Sequence, residues 1–336
     1  MTQTPSELLL SQALATRCRI ALSEGSDPRV VAGALAARQQ GLADVILVGD
    51  ASAVRAELKA QAAVEGDGIR VEDPATSPLT GRFAAVFEEL RRHKGVDAEA
   101  ARKAVLSPLV FAAMLVREGH ADGTVGGAVA TTSDVVRAAL QVIGKAPDAA
   151  LVSSFFLMYP PADATPHARA MVYSDSGLVI DPSPVELASI AAASARSCRT
   201  LLREDPKVAF LSFSTKGSAR HPRVSKVTEA LGHLRDAQPE LEADGELQFD
   251  AAFVPSVAET KAPGSAIAGQ ANVMIFPDLD SGNIAYKITQ RLGGYSAIGP
   301  VLQGLAKPAN DLSRGCVADD VTQMIAVTAL QALDQR

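Results

Sequence analysis

Tryptophan is absent from this sequence of 336 residues, and aromatic residues make up only 4% of it. The core must therefore be filled by Ala, Val, Leu and Ile, which favours helices packed on a parallel sheet over an aromatic-rich β-sandwich. Cysteine is also scarce, because Cys18, Cys198 and Cys316 are widely spaced and odd in number. Without a CxxC pair or a disulfide framework, the sequence predicts a protein of the reducing cytoplasm.

Several classes of partner and segment are excluded in the same way. A formal net charge of -6 argues against nucleic acid, since binding a phosphate backbone needs a basic face. The five histidines show neither HxxxH nor HExxH spacing, so no metal site is expected. The N-terminal segment has no basic stretch before a long apolar run, and no apolar run elsewhere is long enough to span a bilayer. Neither a signal peptide nor a membrane segment is therefore predicted.

The sequence does contain a regular alternation of short apolar runs with longer helical patterns. Asp44–Gly49 is typical of a buried strand that ends in a glycine turn, and it lies between helices predicted over 30–40 and 51–63. This alternation predicts an α/β fold with mostly parallel sheets. Pro239–Gly245 is predicted to be a surface turn or linker, and a domain boundary is placed near 146–148. Further strands are predicted over 123–127, 151–157, 170–173, 208–213 and 273–276, and further helices over 132–143, 184–202, 222–236, 282–292 and 317–333.

The segment Lys307–Asp320 concentrates polar residues in a predicted loop before an apolar helix. Arg314 offers a planar fork of donors suited to phosphate, and Ser313 places a hydroxyl beside it. Asp319 and Asp320 fall in the predicted first turn of the last helix, where the helix dipole stabilises negative charge. A capped helix start with a solvated charge pair accounts for the same residue types equally well. The other polar residues of this segment are Lys307, Asn310 and Asp311.

The segment Gly126–Arg137 has the character of an anion-binding turn. A glycine pair after a predicted strand is followed by Thr131 and Thr132 at a helix start, so backbone N–H groups and hydroxyls can point at a phosphate. It is not a Walker P-loop, because no GxxxxGK[ST] pattern exists. Arg137 lies about one and a half turns into the helix. An ordinary strand-to-helix turn is the competing interpretation.

Two weaker functional signals come from the pair Asn283 and Lys287 and from Cys316. Asn283 and Lys287 are four residues apart in a predicted helix and therefore share one helix face. Cys316 is the one cysteine near the polar segment, which makes it a candidate nucleophile, although a free cysteine is more often a small core residue. No GxSxG elbow supports a serine hydrolase, and no GxGxxG opening a helix supports a dehydrogenase.

Taken together, these segments resemble the phosphate acetyl/butyryltransferase family, and they look closer to its acetyl branch. The resemblance runs from about residue 20 to about residue 332 and rests on long strings in the same order. Ala130 and Ala138 depart from the residues that are frequent in the family at these positions, which bears on acyl specificity. The strings are Leu90–Gly95, Thr260–Ser265, Ala271–Lys287, Gln290–Gly294, Ala297–Gly304 and Lys307–Cys316.

The resemblance implies two α/β domains with mostly parallel sheets in an isocitrate-dehydrogenase-like fold, with the active site in the interdomain cleft. Domain I is expected to cover 1–147 plus 302–336, and domain II to cover 148–301. A homodimer is also implied. The expected small-molecule partners are acetyl phosphate or phosphate and CoA or acetyl-CoA, with no nucleic acid and no membrane. No tightly bound cofactor is implied, since CoA is a substrate.

The implied reaction is direct transfer in a ternary complex, in which the CoA thiol attacks the carbonyl of acetyl phosphate and phosphate leaves. Asp320 is implied as the base that takes the thiol proton. Ser313 is implied to hydrogen-bond the reacting groups, and Arg314 to hold the phosphate and offset negative charge on the carbonyl oxygen. The implied substrate-binding residues are Thr131, Thr132, Arg137, Arg91, Asn283, Lys287 and Asn310.

Several alternatives stay open at this point. A phosphate butyryl- or propionyltransferase fits the same strings, and so does a non-catalytic acetyl-CoA-sensing domain like those fused to malic enzymes. The sequence leaves either Asp319 or Asp320 as the base, because both fall in one helical turn. It also leaves either Arg91 or Arg92 as the arginine on the CoA side.

Overall fold

The structure is a computed structural model that describes residues 5–14, 17–161, 163–164 and 167–335. The chain divides into two compact units. The first unit holds residues 7–147 and 305–335, and the second unit holds Asp148–Gly304 together with residues 5–6. The predicted assignment to domains I and II stays a prediction.

Strands and helices alternate along the described part of the chain, as the sequence predicts. The predicted strand over 44–49 and the predicted helix over 184–202 are confirmed. Among the described residues, each helix is too short or too polar to cross a bilayer. The strands are β1 (Cys18–Leu22), β2 (Ala43–Val48), β3 (Ile69–Glu72), β4 (Gly123–Gly126), β5 (Ser153–Tyr159), β6 (Met171–Ser174), β7 (Val208–Leu211), β8 (Ala243–Leu247), β9 (Val273–Ile275), β10 (Ser296–Gln303) and β11 (Ala309–Asp311). The helices are α1 (Pro5–Ala13), α2 (Pro28–Gln39), α3 (Ala51–Ala60), α4 (Thr80–Arg91), α5 (Ala98–Val105), α6 (Pro108–Arg117), α7 (Thr132–Val142), α8 (Pro184–Leu202), α9 (Pro222–Ala237), α10 (Phe249–Phe253), α11 (Pro255–Lys261), α12 (Leu279–Arg291) and α13 (Ala318–Asp334), with a 3₁₀ turn at Arg92–Lys94.

The sheet of the first unit is parallel throughout and has the strand order β11-β4-β1-β2-β3. Helices cover both of its faces. A side chain added at Gly123 would meet Thr328 of α13, whereas one added at Gly126 would meet Leu109 of α6. Residues three apart in a strand point to opposite faces, so α13 and α6 lie on opposite sides of the sheet. Burial on both faces explains the nearly continuous apolar runs of β1 and β2.

The sheet of the second unit has six strands in the order β10-β5-β6-β9-β7-β8. The pairs from β6 to β8 are parallel, whereas β5 is antiparallel to both β6 and β10. Its core is built largely from aliphatic side chains, with Phe156 stacked on Tyr286 at a centroid distance of 3.9 Å. The prediction of an α/β fold with mostly parallel sheets is confirmed.

Two segments predicted to be irregular are strands instead. The predicted linker Pro239–Gly245 runs into β8, and the predicted loop Lys307–Asp320 contains β11. Both strands carry acidic or amide residues that are rare in strands, which is why their sequences do not predict them. In β8 the buried Asp244 is paired with Lys216 and accepts a hydrogen bond from Ser265.

The packing of α2 on α13 gives a test of the first unit. A methyl group at Gly33 of α2 would lie 2.5 Å from Val321 Cβ and 2.6 Å from the carbonyl oxygen of Ala318. Gly33→Ala should therefore force the two helices apart and destabilise the protein by about 1–3 kcal/mol, seen as a lower melting temperature. Gly81→Ala is the matched control, because nothing lies within 4 Å of a methyl group there. Equal melting temperatures for the two variants would contradict this packing.

Candidate active site

The topology of the first unit singles out one edge of its sheet. From β1 the chain adds β2 and β3 on one side, whereas β4 and β11 lie on the other side of β1. Ligands of open parallel sheets bind at the carboxyl ends of the strands, where the winding direction changes. The loops that leave β1, β4 and β11 all start at this edge, beginning at Ser23, Gly127 and Leu312. The predicted segments Gly126–Arg137 and Lys307–Asp320 therefore meet here.

The loop after β4 binds an anion, but that anion is the chain's own Glu24. The backbone N–H of Ala128 donates to Glu24 Oε2 at 2.7 Å, and those of Val129 and Ala130 donate to Oε1 at 3.0 and 2.7 Å. The expectation that these backbone N–H groups are open to phosphate is thus wrong. What this turn offers to a ligand are the hydroxyls that follow, on Thr131 and Thr132.

Thr131 and Arg137 are joined through a residue that the sequence did not single out, Asp134. Thr131 caps α7, since its Oγ1 accepts from the Asp134 N–H at 3.2 Å and donates to Asp134 Oδ2 at 2.7 Å. Arg137 Nη1 donates to the other carboxylate oxygen at 2.7 Å. The hydrogen bond from Thr131, and then that from Arg137, hold the pKa of Asp134 below its ordinary value. The turn and the arginine are therefore held as one group.

Thr132 is hydrogen-bonded to a buried acid, Asp311. Its hydroxyl donates to Asp311 Oδ2 at 2.6 Å, and Asp311 is fully buried. Burial raises the pKa of Asp311 to about 7, with the charge of Glu24 adding to the rise and the hydrogen bond from Thr132 opposing it. Gly127 packs directly against the carboxyl group of Asp311, because a Cβ added there would lie 2.1 Å from Oδ1. Its φ of +102° independently favours glycine.

Arg29 ties the three loops together. Its guanidinium pairs with Asp27 through two hydrogen bonds of 3.0 and 2.8 Å. It also donates to the carbonyl oxygen of Ala128, after β4, at 2.8 Å and to that of Arg314, after β11, at 2.8 Å. The sequence interpretation missed Arg29 because it missed β1. The signal was present in Glu24-Gly-Ser-Asp-Pro-Arg29, a charged stretch between an apolar run and a helix start.

The turn after β11 and the start of α13 carry the three predicted catalytic residues. Ser313 and Arg314 are exposed, and Ser313 Oγ accepts from the Gly315 N–H at 3.2 Å. Asp320 lies in the first turn of α13, where its Oδ2 accepts from the Val317 N–H at 2.9 Å. Asp319 is instead bonded along the helix to Gln323, at 2.6 Å. Asp320 therefore caps the start of α13, and the choice between Asp320 and Asp319 as the base stays a prediction.

Cys316 is unsuited to the nucleophilic role considered for it. Its thiol is buried, and this burial raises its pKa, with the negative charge of Asp320 adding to the rise and Arg29 opposing it. The thiolate is the nucleophilic form, so a raised pKa lowers reactivity. Cys316 is therefore best described as a core residue of the turn.

The other predicted residues of the first unit are Asn310, Arg91 and its alternative Arg92. Asn310 is fully buried, and its amide nitrogen donates to Thr328 Oγ1 at 2.9 Å and to Gln331 Oε1 at 2.7 Å. That position favours a structural role in joining β11 to α13. Arg91 ends α4 and is partly exposed, whereas Arg92 lies 3.7 Å from Glu88.

Asn283 and Lys287 belong to the second unit, on α12. Lys287 Nζ donates to Asn283 Oδ1 at 2.5 Å, and Asn283 Nδ2 donates to the carbonyl oxygen of Ser176 at 3.1 Å. They share one helix face, as predicted. Their role in binding substrate stays a prediction.

The chain is similar to known proteins over nearly its whole length. Residues 6–329 match the phosphate acetyl/butaryl transferase family. A phosphate acetyltransferase of Paracoccus denitrificans is 49% identical over 327 residues, which are 97% of this chain and 99% of the relative. A phosphate acetyltransferase of Thermoanaerobacterium thermosaccharolyticum is 44% identical, over 96% of this chain and 98% of the relative.

Solved structures agree with the sequence relatives. A phosphotransacetylase from Streptococcus pyogenes has a TM-score of 0.90 and 43% identity, with 98% of each chain covered. A branched-chain phosphotransacylase from Enterococcus faecalis, at 17% identity and a TM-score of 0.68, shares the fold. With a family match over nearly its whole length and relatives of this identity, the chain belongs to the phosphate acetyl/butaryl transferase family.

Proposed function

We propose that the protein is a phosphate acetyltransferase that moves acetyl reversibly between acetyl phosphate and CoA. The observation that carries this proposal is the meeting of Thr132 and Arg314 at one carboxyl edge of a parallel sheet, on loops that Arg29 holds together. The choice of acetyl is supported by relatives named phosphate acetyltransferase at 44–49% identity over nearly the full chain.

The phosphoryl group is proposed to bind between the hydroxyls after β4 and the guanidinium after β11. Arg314 suits this role because its backbone is fixed by Arg29 while its side chain is exposed. A guanidinium donates two parallel hydrogen bonds to phosphate oxygens and stays charged at any working pH. Thr132 is proposed to add a hydroxyl on the other side of the phosphoryl group. Thr131, whose hydroxyl donates to Asp134, is assigned to the same side only by resemblance to the family. Ser313 lies next to Arg314 and is proposed to contact the carbonyl oxygen.

Asp320 is proposed to activate the CoA thiol. A free thiol has a pKa near 8.5, so about a few per cent is thiolate at neutral pH. In the proposed step the thiol proton passes to the Asp320 carboxylate as sulfur bonds to the acetyl carbon. The bond from that carbon to the phosphate oxygen breaks, and phosphate leaves with the electron pair. Positioned proton transfer of this kind contributes on the order of 10²–10⁴-fold to rate.

The remaining site residues are proposed by resemblance to the family. Arg91 and Arg137 are assigned to CoA or to charge stabilisation, and Asn283 and Lys287 to substrate binding. A cytoplasmic homodimer is also proposed. The described cysteines support a reducing compartment, since Cys18, Cys198 and Cys316 form no disulfide among the described residues.

The reaction itself is the first test. Purified protein with CoA and acetyl phosphate, without added metal or nucleotide, should form acetyl-CoA, followed by thioester absorbance. Propionyl and butyryl phosphates in parallel assays report acyl specificity, and faster turnover of butyryl phosphate would move the assignment to that branch. If no thioester forms with any of the three acyl phosphates, the proposed acyltransferase activity is refuted. The alternative of an acetyl-CoA-sensing domain then remains.

Arg314 gives the second test. Arg314→Ala should lower kcat by at least about tenfold, because a donor aimed at charge that develops in the transition state typically contributes 10²–10³-fold. Arg55→Ala is the matched control, since Arg55 is a surface arginine of the same unit paired with Glu65. If both variants turn over at the wild-type rate, Arg314 has no transition-state role.

Glu24 gives the third test. Its three backbone N–H donors require an acceptor at both carboxylate oxygens, and Glu24→Gln turns one of these oxygens into a donor. Stability should fall by about 1–3 kcal/mol, and kcat/KM should fall with it as the loop shifts. Glu89→Gln, at an exposed position on α4, should change neither quantity. Wild-type behaviour of Glu24→Gln would show that the loop does not depend on this carboxylate.

A further inference from the structure

The hydrogen bond between Thr132 and Asp311 limits what Thr132 can offer a phosphoryl group. Its hydroxyl carries one hydrogen, and at 2.6 Å that hydrogen points to Asp311 Oδ2. An ionised carboxylate only accepts hydrogen bonds, so the hydrogen cannot be released while Asp311 is charged. In that state Thr132 presents only lone pairs to a ligand. The oxygens of a phosphoryl dianion are also acceptors, so Thr132 Oγ1 and a phosphoryl oxygen would repel each other rather than bind.

Protonation of Asp311 reverses the bond. A neutral carboxylic acid donates its own hydrogen to Thr132 Oγ1, and the Thr132 hydrogen is then free to point at the ligand. We propose that Asp311 is a positioning residue that takes up a proton from solvent when the phosphoryl group binds, and so turns Thr132 into a donor. This inference rests on the proposed function, because it assumes that Thr132 contacts the phosphoryl group.

The surroundings of Asp311 favour its protonation and deprotonation near neutral pH. The residue is fully buried, and its Oδ1 has no hydrogen-bond partner among the residues that the structure describes. A buried carboxylate oxygen without a donor favours the neutral acid. Burial raises the pKa of Asp311 to about 7, although the hydroxyl of Thr132 and the backbone N–H of Leu312 lower it.

The charge of Glu24 acts in the same sense as burial. Glu24, after β1, raises the pKa of Asp311 through its negative charge. No charged residue lies within β4 or β11 apart from Asp311 itself. The charged groups at the starts of the helices packed on β11 are Asp134 and Arg137 on α7, which pair with each other, and Asp319 and Asp320 on α13.

A pH dependence with a defined sign follows. Asp311 is neutral below its pKa and charged above it, so binding of acetyl phosphate weakens as pH rises through about 7. If only the neutral form binds, the KM for acetyl phosphate rises about tenfold between pH 6 and pH 8. Acetyl phosphate itself stays a dianion in this range, and saturating CoA removes the contribution of its thiol to KM.

Asp311→Asn tests the inference directly. The amide nitrogen of asparagine donates to Thr132 Oγ1 as the neutral acid does, and it does not titrate. The KM of this variant for acetyl phosphate should be flat between pH 6 and pH 8. Asp44→Asn is the matched control, since Asp44 lies at the opposite edge of the same sheet, and it should keep the wild-type rise. Equal slopes for wild type and Asp311→Asn would overturn the inference while leaving the proposed function intact.

A second measurement needs no turnover. Calorimetry of acetyl phosphate binding without CoA, in buffers of different ionisation heat at pH 7.5, counts the protons taken up. The wild type should take up a substantial fraction of one proton per ligand, and Thr132→Val should take up almost none. Thr132→Val serves where Asp311→Asn does not fold. No proton uptake by the wild type would overturn the inference, whereas absence of any thioester would defeat the proposed function and the inference together.

Discussion

The guanidinium of Arg29 is the contact on which the candidate site depends. It pairs with Asp27 after β1 and donates to backbone carbonyls of Ala128 after β4 and Arg314 after β11. Five donors in one rigid plane can fix several loops at once, which a lysine could not do. The hydroxyls of α7 and the side chain of Arg314 are thereby presented from the edge of a parallel sheet.

At an anion site beside several carboxyl groups, the negative charge of each carboxyl group must be offset. The structure offsets these charges in different ways. Glu24 is bonded by three backbone N–H groups, and Asp27 by Arg29, which lowers its pKa. Asp134 is held by Thr131 and Arg137. Asp311 has a single side-chain donor in Thr132 and is compensated by protonation instead. The weakly compensated group is thus the one able to respond to a ligand.

Much of the fold follows from local pattern, because β2, α8 and α13 have uniform apolar runs or clear helical periods. The family string Lys307–Cys316 contains Ser313 and Arg314, whose catalytic roles stay proposals. What local pattern misses depends on partners far along the chain. β1 and β11 are short, β11 is also polar, and both are defined by pairing with β4 about a hundred or more residues away in sequence. The positions of Glu24 and Arg29 and the burial of Asp311 follow from that pairing, and the sequence interpretation did not assign them.

In the proposed reaction the phosphoryl group binds at the carboxyl edge of the five-stranded sheet. The most direct test is a crystal structure of the protein with acetyl phosphate and desulfo-coenzyme A, which lacks the attacking thiol and stops the reaction. Phosphoryl oxygens should lie about 3 Å from Thr132 Oγ1 and from the guanidinium of Arg314. A phosphoryl group bound with no contact to either residue would contradict this proposal.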